Sequence, residues 1–294
     1  MATLASSHAI SQYSNTSDKL AARLAIHNYN THPQHWFEWV GSRIVKEGKI
    51  LEVGAGTGEL WTRTPLPSSG DNNMTSLVLT DFSEAMCNQM RTSVLPILEA
   101  KVNTGAFPSR GSEKEDENIV MLPNVQIQQA SATHLPFPDQ SFDSVIANHM
   151  LYHIDEPHSA LSEFHRVLRP GGTVHIALNG MDHLDELLEV GRLMGRPSEI
   201  KARAKISAEN ARGYLEKWFI DVSEEQCPGA FETNTVGPVI EYIESLDDVM
   251  LSEDQKKLGR SIVEEVLSKE GVFKIKKRMV LFKGRKGEQI LGTK

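Results

Sequence analysis

Residues 50–58 read Ile-Leu-Glu-Val-Gly-Ala-Gly-Thr-Gly, and Asp81 closes the next apolar run 23 positions after Gly58. An apolar run ending in alternate glycines fits a buried strand that delivers the chain to the edge of a parallel sheet. Gly54, Gly56 and Gly58 let the backbone turn tightly there and approach a ligand with no side chain between. Asp81, ending the second strand, is placed to accept hydrogen bonds from ribose hydroxyls. The glycine spacing narrows the ligand. A dinucleotide fingerprint reads G-x-G-x-x-G, with a helix N-terminus facing a pyrophosphate. Here the third glycine comes one residue early, and Glu52 sets a carboxylate just inside the site. A carboxylate repels phosphates and suits an adenosine ligand that carries an ammonium group.

Around this loop, strand and helix patterns alternate, which predicts an α/β fold on a doubly wound parallel sheet. Strands are expected at 49–53, 77–81, 124–129, 142–147 and 173–178, with helices near 57–62, 83–101 and 158–168. Ahead of the first strand, Ser17 can cap a helix running to Tyr29. A second helix after Pro33 buries Trp36, Phe37, Trp39, Val40 and Ile44. Residues 104–118 mix Gly, Pro, Ser and both charges without apolar periodicity, and read as a disordered surface loop. Beyond Gly180, helices are expected near 182–194 and 207–217, a strand at 218–222 and an extended segment at 231–236. Ser252 and Gln255 form a capping-box pattern for a helix with Leu258, Ile262, Val263, Val266 and Leu267 on one face. Val272 to Lys283 alternates apolar and basic residues, as one antiparallel strand would, with Lys274 to Lys277 on its wet side.

Bulk properties exclude several classes. A chain of 294 residues can bury a full core. Its formal net charge of −8 argues against nucleic acid as the main partner, because phosphate binding needs a basic face. Two cysteines, Cys87 and Cys227, are too few for a disulfide framework and lack metal-site spacing. Met1 to Asn15 has no apolar core of signal-peptide length, and no stretch elsewhere is apolar enough to span a bilayer. A cytoplasmic protein without a membrane partner is expected. Oligomeric state is not encoded in any pattern here.

Three further segments follow the glycine loop and Asp81 in order: Ala130-Ser131-Ala132-Thr133-His134-Leu135-Pro136-Phe137, Phe142-Asp143-Ser144-Val145-Ile146, and Leu168-Arg169-Pro170-Gly171-Gly172. The ordered set, over roughly residues 49–180, resembles the motifs of class I S-adenosylmethionine-dependent methyltransferases. That resemblance implies a Rossmann-like seven-stranded sheet with helices on both faces and an antiparallel last strand. It implies one domain with three parts: an N-terminal helical lid (1–48), a cofactor-binding core (49–180), and a substrate cap with closing strands (181–294). The implied cofactor is S-adenosyl-L-methionine and the implied product S-adenosyl-L-homocysteine.

Residue by residue, the resemblance sets Glu52, Gly54, Ala55 and Gly56 beside the methionine part of the cofactor and Asp81 on its ribose. Asp81 could equally cap the helix that follows it. Phe82 and Met86 are candidates to flank the adenine, whose face prefers apolar and polarisable contacts. Many relatives have Asp where this chain has Ser131, so the adenine amino group falls to Ser131 or the backbone of Ala132. Asn148 and His149 leave the fourth strand at its carboxyl end, where ligands sit in open α/β sheets. Arg23 is a candidate partner for the cofactor carboxylate, or lies on a solvated helix face.

The catalytic candidates are His153, an imidazole able to act as a general base near neutral pH, and Tyr13 in the lid. His149 and His153 are four apart, but no third ligand supports a metal, and none is expected. The expected function is methyl transfer to an O, N or S atom of a small molecule of secondary metabolism. The alternatives are a methyltransferase-like protein that uses the cofactor for another reaction such as cyclisation, and a non-enzymatic binding protein.

Overall fold

In the computed structural model, which describes residues 17–65, 74–104, 124–247 and 249–288, seven strands form the central sheet. Its core strands are β1 (Gly48–Val53), β2 (Met74–Asp81), β3 (Asn124–Gln129), β4 (Phe142–Asn148) and β5 (Leu168–Asn179). All five run parallel, and β6 (Ile220–Gln226) and β9 (Met279–Arg285) complete the order β3-β2-β1-β4-β5-β9-β6. Only β9 opposes its neighbours, pairing antiparallel with both β5 and β6. β7 (Phe231–Thr233) and β8 (Phe273–Ile275) form a separate antiparallel pair. This is the Rossmann-like α/β sheet with an antiparallel last strand that the resemblance implied.

The helices are α1 (Ser17–Ala25), α2 (Trp36–Gly41), α3 (Glu59–Arg63), α4 (Glu84–Gln89), α5 (Leu95–Thr104), α6 (Pro157–Val167), α7 (Asp185–Leu193), α8 (Ile200–Arg203), α9 (Ala211–Leu215), α10 (Gly237–Ser245) and α11 (Glu253–Glu270). A π-helical turn over Met90–Val94 joins α4 to α5, and 3-10 turns cover Ile26–Tyr29 and Leu151–His153. The strand pleat sorts the core into two layers. Ile50, Leu77, Leu79 and Ile146 face the tryptophans Trp36, Trp39 and Trp61. Leu51, Val53, Val78 and Val145 face Phe164 and Phe219 on the other side.

The N-terminal segment is tied to the C-terminal one. Arg23 donates to the Ser245 carbonyl at 2.9 Å, Thr31 N–H donates to the Ala230 carbonyl at 2.9 Å, and Asn30 bridges to Phe231. On the opposite side of the sheet edge, Arg166 donates to the carbonyls of Leu135 (2.9 Å) and Phe137 (2.7 Å), while Glu163 accepts from Leu135 N–H at 2.7 Å. Glu163 and Arg166 on α6 thereby fix the loop that leaves β3.

Several expectations are corrected. The single strand over 272–283 is broken into β8 and β9, because side chains take the backbone donors between them. Glu186 accepts Lys276 N–H at 2.8 Å and His183 Nδ1 accepts Arg278 N–H at 3.1 Å. Lys277 is not on a wet face: it is 3% exposed, with its ammonium on Asn30 Oδ1 at 2.5 Å. Leu258 is exposed, and Gly259 with Val263 supplies the buried stripe of α11. Helix α10 was not anticipated; its Gly-Pro start reads as a breaker, although proline is well placed in a first turn. The capping box of Ser252 and Gln255 is present as expected. Tyr13 and, apart from Thr104 at the end of α5, the expected loop at 104–118 lie outside the described residues or continue beyond them.

Replacing Arg166 with alanine strands Glu163 and the two carbonyls it holds. A loss of about 1.5–3 kcal/mol of unfolding free energy is expected from charged hydrogen bonds of this kind, measured by urea denaturation. An unchanged midpoint would show that the loop is held by other means.

Candidate functional site

The order of strands reverses at β1: the chain runs outward from β1 through β2 to β3, then crosses to β4 on the other side. Loops leaving β1 and β4 therefore part in opposite directions and open a crevice at the carboxyl edge. A cavity of about 910 Å³ occupies it. That volume lies near the upper end of the range for small-molecule sites. Glu52, Gly54, Ala55, Gly56, Asp81, Phe82, Met86, Ser131, Ala132, Asn148, His149, His153 and Arg23 all line this one cavity. Of the site residues expected from sequence, only Tyr13 falls outside the described residues.

The glycine loop is shaped by two different demands. At Gly54, φ is +71° and an added Cβ would stand 2.7 Å from Met150 Cβ, so packing and backbone both require glycine. At Gly56, φ is +56° but an added Cβ would meet nothing within 4 Å. That open position, on the cavity wall, is a cradle for a ligand rather than a packing contact. Asp81 holds the cradle: its Oδ2 accepts Gly56 N–H at 2.9 Å and its Oδ1 accepts Ser83 N–H at 2.8 Å. Ser83, not Asp81, is the cap of α4, accepting Met86 N–H. Burial raises the Asp81 pKa against the pull of these backbone donors. Each oxygen keeps a further lone pair for ligand hydroxyls.

Glu52 lies on the same face of β1 as Ile50 and is 2% exposed. Its Oε2 accepts the Trp61 indole N–H at 2.6 Å. Burial raises its pKa to about 8, with the Trp61 hydrogen bond opposing and the nearby Asp81 charge adding to the rise. Phe82 is exposed at the rim and Met86 is buried while still lining the cavity. Ser131 Oγ lies 3.0 Å from Thr133 Oγ1, which fixes the turn after β3. Arg23, besides lining the cavity, holds the Ser245 carbonyl on α10. His153 packs its ring 4.5 Å from that of Tyr152. Among the described residues no group of three His, Cys, Asp or Glu has the geometry of a metal site.

Four polar side chains on this wall hold buried atoms without hydrogen-bond partners: Trp36 Nε1, Asn148 Oδ1, both ring nitrogens of His149, and Asn179 Oδ1. Buried polar atoms are costly when left unpaired, so the wall fits a polar ligand. His149 is held in the left-handed region at φ +54°, a conformation that histidine adopts at some energetic cost and that recurs at ligand sites. Sequence reasoning missed His27, Asn179, His183 and Tyr242, which line the cavity as well. The position of Asn179 at the carboxyl end of β5 was a usable signal. Nothing in the sequence placed the other three.

Residues 51–176 match the family model described as a methyltransferase domain. That segment, less than half of the chain, is similar to a methyltransferase domain. It is 32% identical over 128 residues to the ubiquinone/menaquinone biosynthesis C-methyltransferase UbiE of Coxiella burnetii, an alignment covering 44% of this chain and 41% of that one. It is 31% identical over 129 residues to the phosphatidylethanolamine N-methyltransferase of Cereibacter sphaeroides, over 44% of this chain and 49% of the relative. The chain thus spans less than half the length of each of these two relatives. Among solved structures, the [4+2]-cyclase SpnF superposes with a TM-score of 0.53 at 14% identity, covering 98% of this chain and 97% of that one. At that identity the likeness is one of fold, and a fold hosts many reactions.

The raised pKa of Glu52 has a stability consequence of definite sign. The folded protein binds a proton that the unfolded chain releases near pH 4.5, so this group's contribution is full below that pH. It is lost as pH rises toward about 8. Unfolding midpoints of the ligand-free protein should therefore fall across this window, and Glu52→Gln should flatten the slope. A wild-type slope retained in the variant would assign it to another group.

Proposed function

We propose that this protein transfers a methyl group from S-adenosyl-L-methionine to a small molecule, releasing S-adenosyl-L-homocysteine. The observation that carries the reading is the cradle at Gly56: an open glycine position whose N–H is clamped by Asp81, on the cavity wall at the strand-order reversal. When bound, the cofactor supplies a methyl group already activated on a sulfonium, so the protein need not generate a strong electrophile. Its own residues are left with alignment and the exclusion of water.

In this reading Asp81 takes the ribose hydroxyls, and Phe82, Met86, Ser131 and Ala132 take the adenine. Glu52, Gly54, Ala55 and Gly56 take the amino-acid end, with Asn148 and His149 closing the far wall. Arg23 donates to the Ser245 carbonyl and lines the cavity, where it is the candidate partner for the cofactor carboxylate. Glu52 stabilises a cationic ligand once it has lost its proton. Residues 1–48 act as the lid, and 181–294 as the substrate cap and closing strands. The cross-links from Arg23, Asn30 and Thr31 to the C-terminal segment support a joint role of lid and cap. The cavity's volume supports a small acceptor, which we assign to secondary metabolism in the cytoplasm. No helix of the described residues is long and apolar enough to cross a membrane.

Incubation with methyl-labelled cofactor and a mixture of hydroxyl, amine and thiol acceptors should release S-adenosylhomocysteine and label an acceptor. Cofactor binding without that product would instead favour a reaction such as cyclisation. Asp81→Ala should weaken S-adenosylhomocysteine binding by about 1.5–3 kcal/mol, or about tenfold to 150-fold. An unchanged dissociation constant would remove Asp81 from the ribose. His153→Ala should leave that affinity nearly intact, and a loss of turnover alone would give His153 a catalytic role.

A further inference from the structure

The part of the cavity around His149, which the cofactor reading places on its far wall, also carries side chains that this reading does not use. The rings of Trp36 and Tyr152 lie 4.9 and 6.4 Å from that of His149, and Phe37 and Tyr242 line the same cavity. So do two more histidines, His27 and His183, which both set their rings edge-on to Phe231, at 5.4 and 6.2 Å.

The tautomer of His183 follows from geometry. Its Nδ1 accepts the Arg278 backbone N–H at 3.1 Å, so in a neutral ring the proton sits on Nε2. His183 is therefore a hydrogen-bond donor toward its free edge and not a base there. Trp36 Nε1 is buried without a partner and can only donate. His149, with both ring nitrogens unpartnered, keeps one donor whichever tautomer it adopts.

The cations around the histidines are partly neutralised: Arg63 pairs with Glu59 at 2.6 Å and Lys201 pairs with Asp185. Burial is the largest influence on all three imidazoles and holds His27 and His149 at about 3 and His183 well below its usual value. After burial, His35 and His149 act on His27 ahead of Lys277 and Arg63, and His149 and His27 act on His183 ahead of Lys201 and Lys277. On His149 the further influence is His153. Lys277 is buried, and among the described residues no carboxylate forms an ion pair with it. The carboxylates on the cavity wall stand on other loops: Glu52, Glu59, Asp81 and Glu84 after β1 and β2, and Asp155 and Glu156 after the turn at 151–153. An oxyanion at the histidine end would meet neutral N–H donors, with Lys277 as a cation that no carboxylate neutralises among the described residues.

Resting on the methyl-transfer reading, we propose that this end of the cavity binds an aromatic hydroxyl compound as its oxyanion, held by N–H donors of His149, His183 and Trp36. The acceptor's O–H proton passes to solvent on binding, and its electron pair stays on the oxygen. No side chain has to act as general base. The same arrangement disfavours amines, which arrive protonated, and gives the histidines a positioning role as neutral donors.

The test uses a nitrophenol, whose phenolate absorbs visible light, titrated over pH with wild-type protein saturated with S-adenosylhomocysteine. The bound phenol should ionise at least tenfold more readily than the free one. Trp36→Phe and His183→Gln should each reduce that preference while S-adenosylhomocysteine affinity, read by calorimetry, stays within about threefold as a check on folding. A bound phenol that ionises like the free compound, or a benzylamine that binds this complex more tightly than the phenol, would overturn the proposal. Failure of S-adenosylhomocysteine itself to bind the wild-type protein would instead overturn the reading beneath it.

Discussion

The reversal of strand order at β1 is the constraint on which the site depends. Because the chain builds outward from β1 in both directions, the connections after β1 and β4 lead away to opposite sides, and a crevice at the carboxyl edge follows from the topology. The sequence then decides what fills the gap. Gly54 lets Met150 approach, Gly56 leaves space, and Asp81 joins the end of β2 to the glycine loop through one backbone bond on each oxygen. One carboxylate thus couples the two loops that a nucleoside has to touch together.

A second feature of the site is its reserve of unsatisfied polar groups. Glu52 is buried with the Trp61 indole N–H on one of its oxygens, and Trp36, Asn148, His149 and Asn179 hold buried atoms without a partner. Such groups work against folding. Their concentration on one cavity wall, with His149 in a left-handed backbone conformation, is the pattern of a surface whose stability is completed by its ligands. The cavity carries carboxylates at the glycine loop and neutral imidazoles at His27, His149 and His183. In the proposed reading the carboxylates face the cationic cofactor and the imidazole N–H groups face an anionic acceptor.

The parallel core and its loops were legible in the sequence because each rests on a short-range rule. Apolar runs gave β1 to β5, alternate glycines gave the turn after β1, and the Ser252–Gln255 spacing gave the cap of α11. The residues named from those loops gather around one cavity for the same reason: strand ends in a parallel sheet share an edge. The C-terminal third was harder to read. An alternating pattern cannot reveal that Glu186 and His183, about ninety residues away, take the N–H groups of Lys276 and Arg278 and split one strand into two. Nor does alternation show that Lys277 is buried against Asn30. His27 and His183 reach the cavity through this same long-range packing, which no local spacing encodes.

The most direct measurement is a calorimetric titration of the purified protein with S-adenosylmethionine, S-adenosylhomocysteine and, as a control, NADH. Saturable binding of both adenosyl compounds at one site, with none of NADH, is the expected result. It would follow from a glycine spacing that departs from the dinucleotide fingerprint and from the Glu52 carboxylate beside it. Binding of NADH in preference to both, or of none of the three, would contradict the assignment of the cavity.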